Sequence, residues 1–180
     1  MTLATPNYPL APLQNALKSK GERLKFQIGQ SLCEENYLPG HVLLIESGTA
    51  RLLGNSDGRL TTRIKLESGS LIGAVSLLRG ESCEAVRAAT ELVAWSITDT
   101  TFQQLYNSDK DIRDCCEAYL WDAEVAALLQ GIRASTPKSH HSLEAWLKML
   151  GPLATLMRAN NDEAEAALNN GKRLFLASSI

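Results

Sequence analysis

The sequence predicts an α+β chain, with an antiparallel β-sandwich or barrel in its middle, flanking helices and a helical C-terminal extension. Three observations carry this expectation. Short alternating or wholly apolar runs succeed one another between Lys25 and Ile97. Turn residues punctuate them at close spacing, as in sandwiches and barrels. From Asp99 onward the apolar period lengthens to that of helices.

Residues Met1 to Leu10 form a Pro- and Thr-rich arm. Leu13, Leu17 and Leu24 fit a short helix over Ala11 to Leu24, broken near Gly21. The run Glu22-Arg23-Leu24-Lys25 reads as its solvated end. Lys25 to Ile28 alternates and stops at Gly29, a strand and turn. Ser31 to Tyr37 is mixed in pattern. Pro39-Gly40 turns into a strand at Val42 to Ile45, and Ser47-Gly48 turns into another at Thr49 to Leu53. Asn55-Ser56-Asp57-Gly58 is a hairpin signal, because Asp-Gly suits the left-handed positions of a tight turn. Arg59 to Leu66 alternates, with Leu60, Thr62, Ile64 and Leu66 on one face.

The stretch Leu66 to Trp95 organises the chain. A glycine turn, Ser68-Gly69-Ser70, leads into Leu71-Ile72-Gly73. A short apolar turn, Ala74 to Leu78, is followed by a polar loop, Arg79 to Glu84, and a strand-like run, Ala85 to Trp95. Glycine permits close backbone approach to a ligand, so strand, glycine, helical turn and strand together can cradle an anion. Beyond it, Leu92 to Ile97 closes the sheet region. Thr98, Asp99 or Thr100 caps a helix that buries Phe102 and Leu105. Ser108 or Asp109 opens a longer helix reaching about Arg133, with Ile112, Cys115, Cys116, Tyr119, Leu120, Ala123, Ala127 and Leu128 at helical spacing. Ser135-Thr136-Pro137 is a linker. Helices follow over Ser142 to Arg158, bent at Gly151-Pro152, and over Asn161 to Leu168. Leu174-Phe175-Leu176 reads as a final strand. The domain boundaries expected are 1–24 for arm and short helix, 25–133 for the barrel with its long helix, and 134–180 for the extension.

Composition narrows the function. The 180 residues are 44% hydrophobic and 21% charged, enough for one domain of roughly 100–150 residues plus an appendage. With 18 Lys and Arg against 20 Asp and Glu, the net charge is −2, which argues against a nucleic-acid partner. No run approaches the ~18 apolar residues of a membrane helix, and no basic start with an apolar core marks a signal peptide. A cytoplasmic chain is expected, without direct membrane insertion. Cys33, Cys83, Cys115 and Cys116 contain no CxxC pair, so they read as reduced thiols rather than a zinc site.

Several motifs resemble those of cyclic-nucleotide-binding domains, the jelly-roll (double-stranded β-helix) modules of Crp-type regulators and protein kinase A regulatory subunits. Phe26 to Gly29 resembles the family's first strand and glycine turn. Leu44-Ile45-Glu46-Ser47-Gly48 through Leu52 resembles its aliphatic strand, turn and following strand. Gly69 to Gly73, followed by Ser76-Leu77-Leu78, resembles the start of its phosphate-binding cassette. Arg87 to Thr90, up to Trp95-Ser96-Ile97, resembles the strand that leaves it. The match covers about residues 13–133.

The resemblance implies a regulatory domain rather than an enzyme, and it places the candidate ligand-binding residues at Gly73, Ala74, Val75, Ser76, Arg79, Ser82, Cys83 and Arg87. At two of them this sequence departs from the members that bind cAMP or cGMP. A glutamate follows the cassette glycine there and takes the ribose hydroxyl; here it is Ala74. An arginine pairs with the cyclic phosphate; counting back from Trp95 puts that position near Ser82, with Arg87 five positions late. Losing one charge-assisted bond removes roughly 1.5–3 kcal/mol. The cassette is therefore expected to be degenerate, with no cofactor, although backbone amides near Gly73 can still hold a nucleotide or other small anion.

Residues 139–170 lack helix-turn-helix spacing. Leu77 to Glu81, and Gly171 to Ser179, resemble segments of bacterial toxin- or peptide-secretion ABC exporters. That implies a cytosolic regulatory part whose partners are the exporter's other domains. A homodimer through the long helix, and packing of that helix on its own barrel, are both open. Two alternatives remain: a working cyclic-nucleotide receptor using Arg79 or Arg87, and a cupin-like metalloenzyme with a metal at His41 near Glu46. Cys33, Cys83 and Ser82 have no histidine in a recognisable motif, and His140-His141 reads as a solvated pair.

Overall fold

The computed structural model describes residues 10–56, 59–134, 143–150 and, beyond these, 153, 165, 166 and 168–171. Among the described residues, eight strands form two four-stranded antiparallel sheets, flanked by helices, in the α+β jelly-roll arrangement. One sheet runs β1 (Glu22–Phe26), β8 (Leu92–Thr98), β3 (His41–Ser47), β6 (Leu71–Ile72). The other runs β2 (Ser31–Cys33), β7 (Ala85–Ala88), β4 (Ala50–Ser56), β5 (Arg59–Leu66). Residues of both sheets share one core, among them Val42, Leu44, Ile45, Leu92 and Ala94 of the first sheet and Ala50, Leu52, Val86 and Ala88 of the second. β4 and β5 are joined across the expected hairpin, where Asn55 pairs with Leu60 and Ser56 with Arg59.

Helix α1 (Ala11–Lys20) lies against the first sheet and buries Leu13 and Leu17 completely. The chain then turns directly into β1, so Glu22 to Lys25 is a strand and not a helix end. Leu24 and Phe26 face inward at a period of two, while Glu22, Arg23 and Lys25 face solvent. Charges on such an edge strand also discourage pairing with another chain. The run expected over Ala85 to Trp95 is two strands, β7 and β8, in different sheets. Thr90 helps bend the chain between them by accepting the Thr49 amide hydrogen on its hydroxyl. Leu60 is 60% exposed, not sheltered with Leu66, because a bulge at Leu52/Leu53 shifts the β4–β5 register and the outer hairpin carries Leu60 away from the core.

Thr98 caps helix α3 (Asp99–Ser108) by accepting the Thr101 amide hydrogen, and Asp109 caps α4 (Lys110–Ala118) through the amides of Asp111 and Ile112, both by the usual N-cap geometry. The single long helix expected to reach Arg133 is instead broken. Tyr119 is extended at φ −83°, ψ 132°, and α5 (Asp122–Ala134) starts afresh. The buried Trp121 explains the interruption. Its indole N–H donates to the Cys116 carbonyl at 3.3 Å, satisfying one of the free carbonyls at the end of α4, and its ring meets Tyr119 edge-on at 4.9 Å. A short helix, α6 (Leu143–Leu150), packs on α5. The N-terminal arm, His140-His141, most of the helix expected over 161–168 and the strand expected at 174–176 lie outside the described residues.

Candidate functional site

The stretch that leads from β6 into β7 builds a small polar cradle. Gly73 ends β6 with φ 87°, and a Cβ there would lie 2.6 Å from the His41 carbonyl oxygen. Only glycine fits such a position without strain. The turn opens helix α2 (Ala74–Arg79), which buries Ala74, Val75 and Ser76 and stops at Gly80 in a left-handed conformation. The donors at this start include the Gly73 amide and the amide and hydroxyl of Ser76.

A carboxylate from the same chain sits in that cradle. Glu84, 4% exposed, precedes β7 and folds back over the start of α2. The Gly73 N–H donates to both of its oxygens, at 3.0 and 3.2 Å. The Ser76 hydroxyl donates to Oε2 at 2.9 Å and the Ser76 amide to the same oxygen at 3.4 Å. The Ser76 hydroxyl in turn accepts the Cys83 amide hydrogen at 3.3 Å. Burial lifts the Glu84 carboxyl above its ordinary range; the bonds from Gly73 and Ser76 oppose that rise, and the negative charge of Glu124 adds to it.

A second contact locks the cassette from outside. Arg79, the last residue of α2, donates through Nε to Glu124 Oε1 of α5 at 2.6 Å. Both side chains are largely withdrawn from water, at 14% and 7% exposure. Between the cradle and the Tyr119–Ala123 segment lies a cavity of about 310 Å³, walled by residues that include Leu52, Leu66, Leu71 and Val75.

The candidate residues fall into two groups. Gly73, Ala74, Val75, Ser76 and Cys83 come together around the Glu84 carboxylate. Arg79, Ser82 and Arg87 point elsewhere. Arg79 is engaged by Glu124. The Ser82 hydroxyl donates to the Glu34 carbonyl at 2.8 Å. Arg87 is exposed on β7, on the face opposite the buried Val86 and Ala88. Burial pushes the Cys83 thiol up to about 11 and the Cys33 thiol up to about 12, so neither is a ready thiolate at neutral pH. His41 is exposed at the start of β3, and Glu46 is taken by Arg23 at 2.5 Å. The residue that fills the cradle, Glu84, was legible only as the end of a polar loop. Its one sequence signal is a lone carboxylate immediately before the exit strand.

The two-sheet barrel, the glycine-led cassette and the helices beyond it define a domain of the cyclic-nucleotide-binding type. Residues 23–109 match the family model described as the cyclic nucleotide-binding domain. In fold it is similar to the catabolite activator protein of Thermus thermophilus, at 21% identity and a TM-score of 0.50, over 71% of this chain and 57% of that one. It is also similar to the regulatory subunit of a cAMP-independent protein kinase A from Trypanosoma brucei, at 17% identity and a TM-score of 0.50, over 60% of this chain and 41% of that one. The chain thus spans 57% and 41% of the lengths of these two proteins. No curated protein matches it.

The strain at Gly73 gives a direct prediction. Gly73→Ala places a Cβ 2.6 Å from a backbone oxygen at positive φ, and the left-handed conformation alone costs a residue with a Cβ about 1–2 kcal/mol. Urea unfolding is expected to show a loss of at least that size, because the clashing atom belongs to the backbone and cannot rotate away.

Proposed function

We propose that this chain is a non-catalytic regulatory module of the cyclic-nucleotide-binding type whose cassette carries its own anion in place of a cyclic phosphate. One observation carries the reading: the donors of the cradle are already satisfied by the Glu84 carboxylate. A phosphate entering there would meet a buried negative charge and no free cation, since Arg79 is paired with Glu124 and Arg87 faces outward. Ala74 has no group for a ribose hydroxyl. Signalling in such a module runs through the packing of α2 against α5 rather than through a nucleotide. The exporter context extends the proposal: a cytosolic regulatory part of a peptide- or toxin-secretion ABC exporter, resting on Leu77–Glu81 and Gly171–Ser179. An adjoining coding region for an ATPase with membrane helices supports that context, and a gene without such neighbours removes it.

Titration calorimetry with cAMP and cGMP tests the cassette reading. The expected result is no binding at micromolar concentrations, and a gain of binding in the triple variant Ala74→Glu, Ser82→Arg, Glu84→Ala. Micromolar binding by the unmodified protein, abolished by Arg79→Ala or Arg87→Ala, overturns it in favour of a working receptor.

A further inference from the structure

We infer that the cavity between the cassette and the Tyr119–Ala123 segment is a binding site for a small organic cation, a protonated amine carried on an apolar or aromatic body. The inference rests on the reading of Glu84 as the resident anion of the cradle. At about 310 Å³ the cavity is at the lower end of the size of small-molecule sites. Its walls give leucine and valine side chains from both sheets and α2, together with the aromatic residues Tyr119 and Trp121. Among the described residues its charged lining consists of two carboxylates, Glu84 and Asp122, with no lysine, arginine or histidine.

Three of the lining's neutral donors are engaged within the protein. The Trp121 indole N–H is committed to the Cys116 carbonyl. The Gln14 side-chain amide donates to the Gly69 carbonyl, and the Ser68 hydroxyl donates to the Glu46 carbonyl. Of the other lining hydroxyls, that of Ser70 accepts the Glu67 amide hydrogen and that of Tyr119 is a neutral donor. Asp122, partly buried at the first turn of α5, accepts no side-chain hydrogen bond among the described residues, and burial holds its carboxyl above the ordinary range. An anion entering this space would face two carboxylates without a counter-charge. A cation brings the charge that the lining lacks, together with donors for its carboxylates, and aromatic rings add attraction for an ammonium group. The apolar walls then take the body of the ligand.

The test compares two probes of the same shape, 2-phenylethylammonium and 2-phenylethanol, titrated into the full chain while the Trp121 indole resonance is followed by NMR. The ammonium is expected to bind about tenfold or more tightly than the alcohol, the ratio that one charge-assisted hydrogen bond supplies. The isosteric variant Asp122→Asn keeps the cavity and is expected to erase most of that preference. Equal binding of the two probes, a preference that survives Asp122→Asn, or no perturbation of Trp121 by either probe overturns the inference. A parallel cAMP titration separates the two proposals. Micromolar cAMP binding means the cassette reading has failed, whatever the amine does. No cAMP binding together with no amine preference means that only the cation site has failed.

Discussion

Glu84→Ala is expected to lower the unfolding free energy by about 2–3 kcal/mol, read from urea denaturation at neutral pH. The substitution strips the acceptor from the Gly73 amide and from the amide and hydroxyl of Ser76. Each buried donor left without a partner costs about 1–3 kcal/mol, and the released desolvation of the carboxylate offsets part of the sum. Glu84→Gln separates charge from shape. The folded-state pKa of Glu84 is raised by burial, so between the unfolded value and the higher folded value the native state holds the extra proton. Its contribution to stability is therefore fully present below about pH 4.5 and declines as pH rises through the folded pKa. Subtracting the pH profile of Glu84→Gln from that of the parent protein should isolate this fall. A difference that instead rises with pH contradicts the assigned direction.

Arg79→Met is expected to cost about 3–5 kcal/mol, the penalty for leaving one member of a buried ion pair uncompensated. The pair is 14% and 7% exposed, and Glu124 Oε2 already has no hydrogen-bond partner among the described residues. With Arg79 gone, the carboxylate keeps its burial and loses that counter-charge. The double variant Arg79→Met, Glu124→Leu removes both charges and should recover most of the loss. Hydrogen exchange supplies the functional readout. In the single variant, protection of the Asp122–Ala134 amides should fall more than that of β3 and β8, because the pair ties α2 to α5. Uniform loss across both regions would mean that the contact contributes only to global stability.

The β-framework was legible because its signals are local. Gly73 and the Val42 to Ile45 run each specify their own backbone within a few residues. The same holds for the caps, where Thr98 and Asp109 lie beside the amides they bind. What escaped the sequence depends on distance along the chain. Glu84 meets Gly73 across eleven residues, and Arg79 meets Glu124 across forty-five; neither separation carries a periodic signature. The break at Tyr119 to Trp121 was hidden for another reason. Apolar spacing continues helically through it without glycine or proline, and only the burial of Trp121 in tertiary contact turns the chain. The departures at Ala74 and Ser82 were visible in sequence, but the group that takes the anion's place was not, because a single glutamate near a strand is ordinary until its partners are known.

Anion rescue of the emptied cradle tests the central claim most directly. Formate is titrated into the parent protein and into Glu84→Ala, with chloride at matched ionic strength as reference, and the melting temperature is followed. If Glu84 is the resident anion, formate stabilises Glu84→Ala saturably and leaves the parent at its chloride value. Equal responses of the two proteins, or stabilisation of the parent alone, would contradict the account.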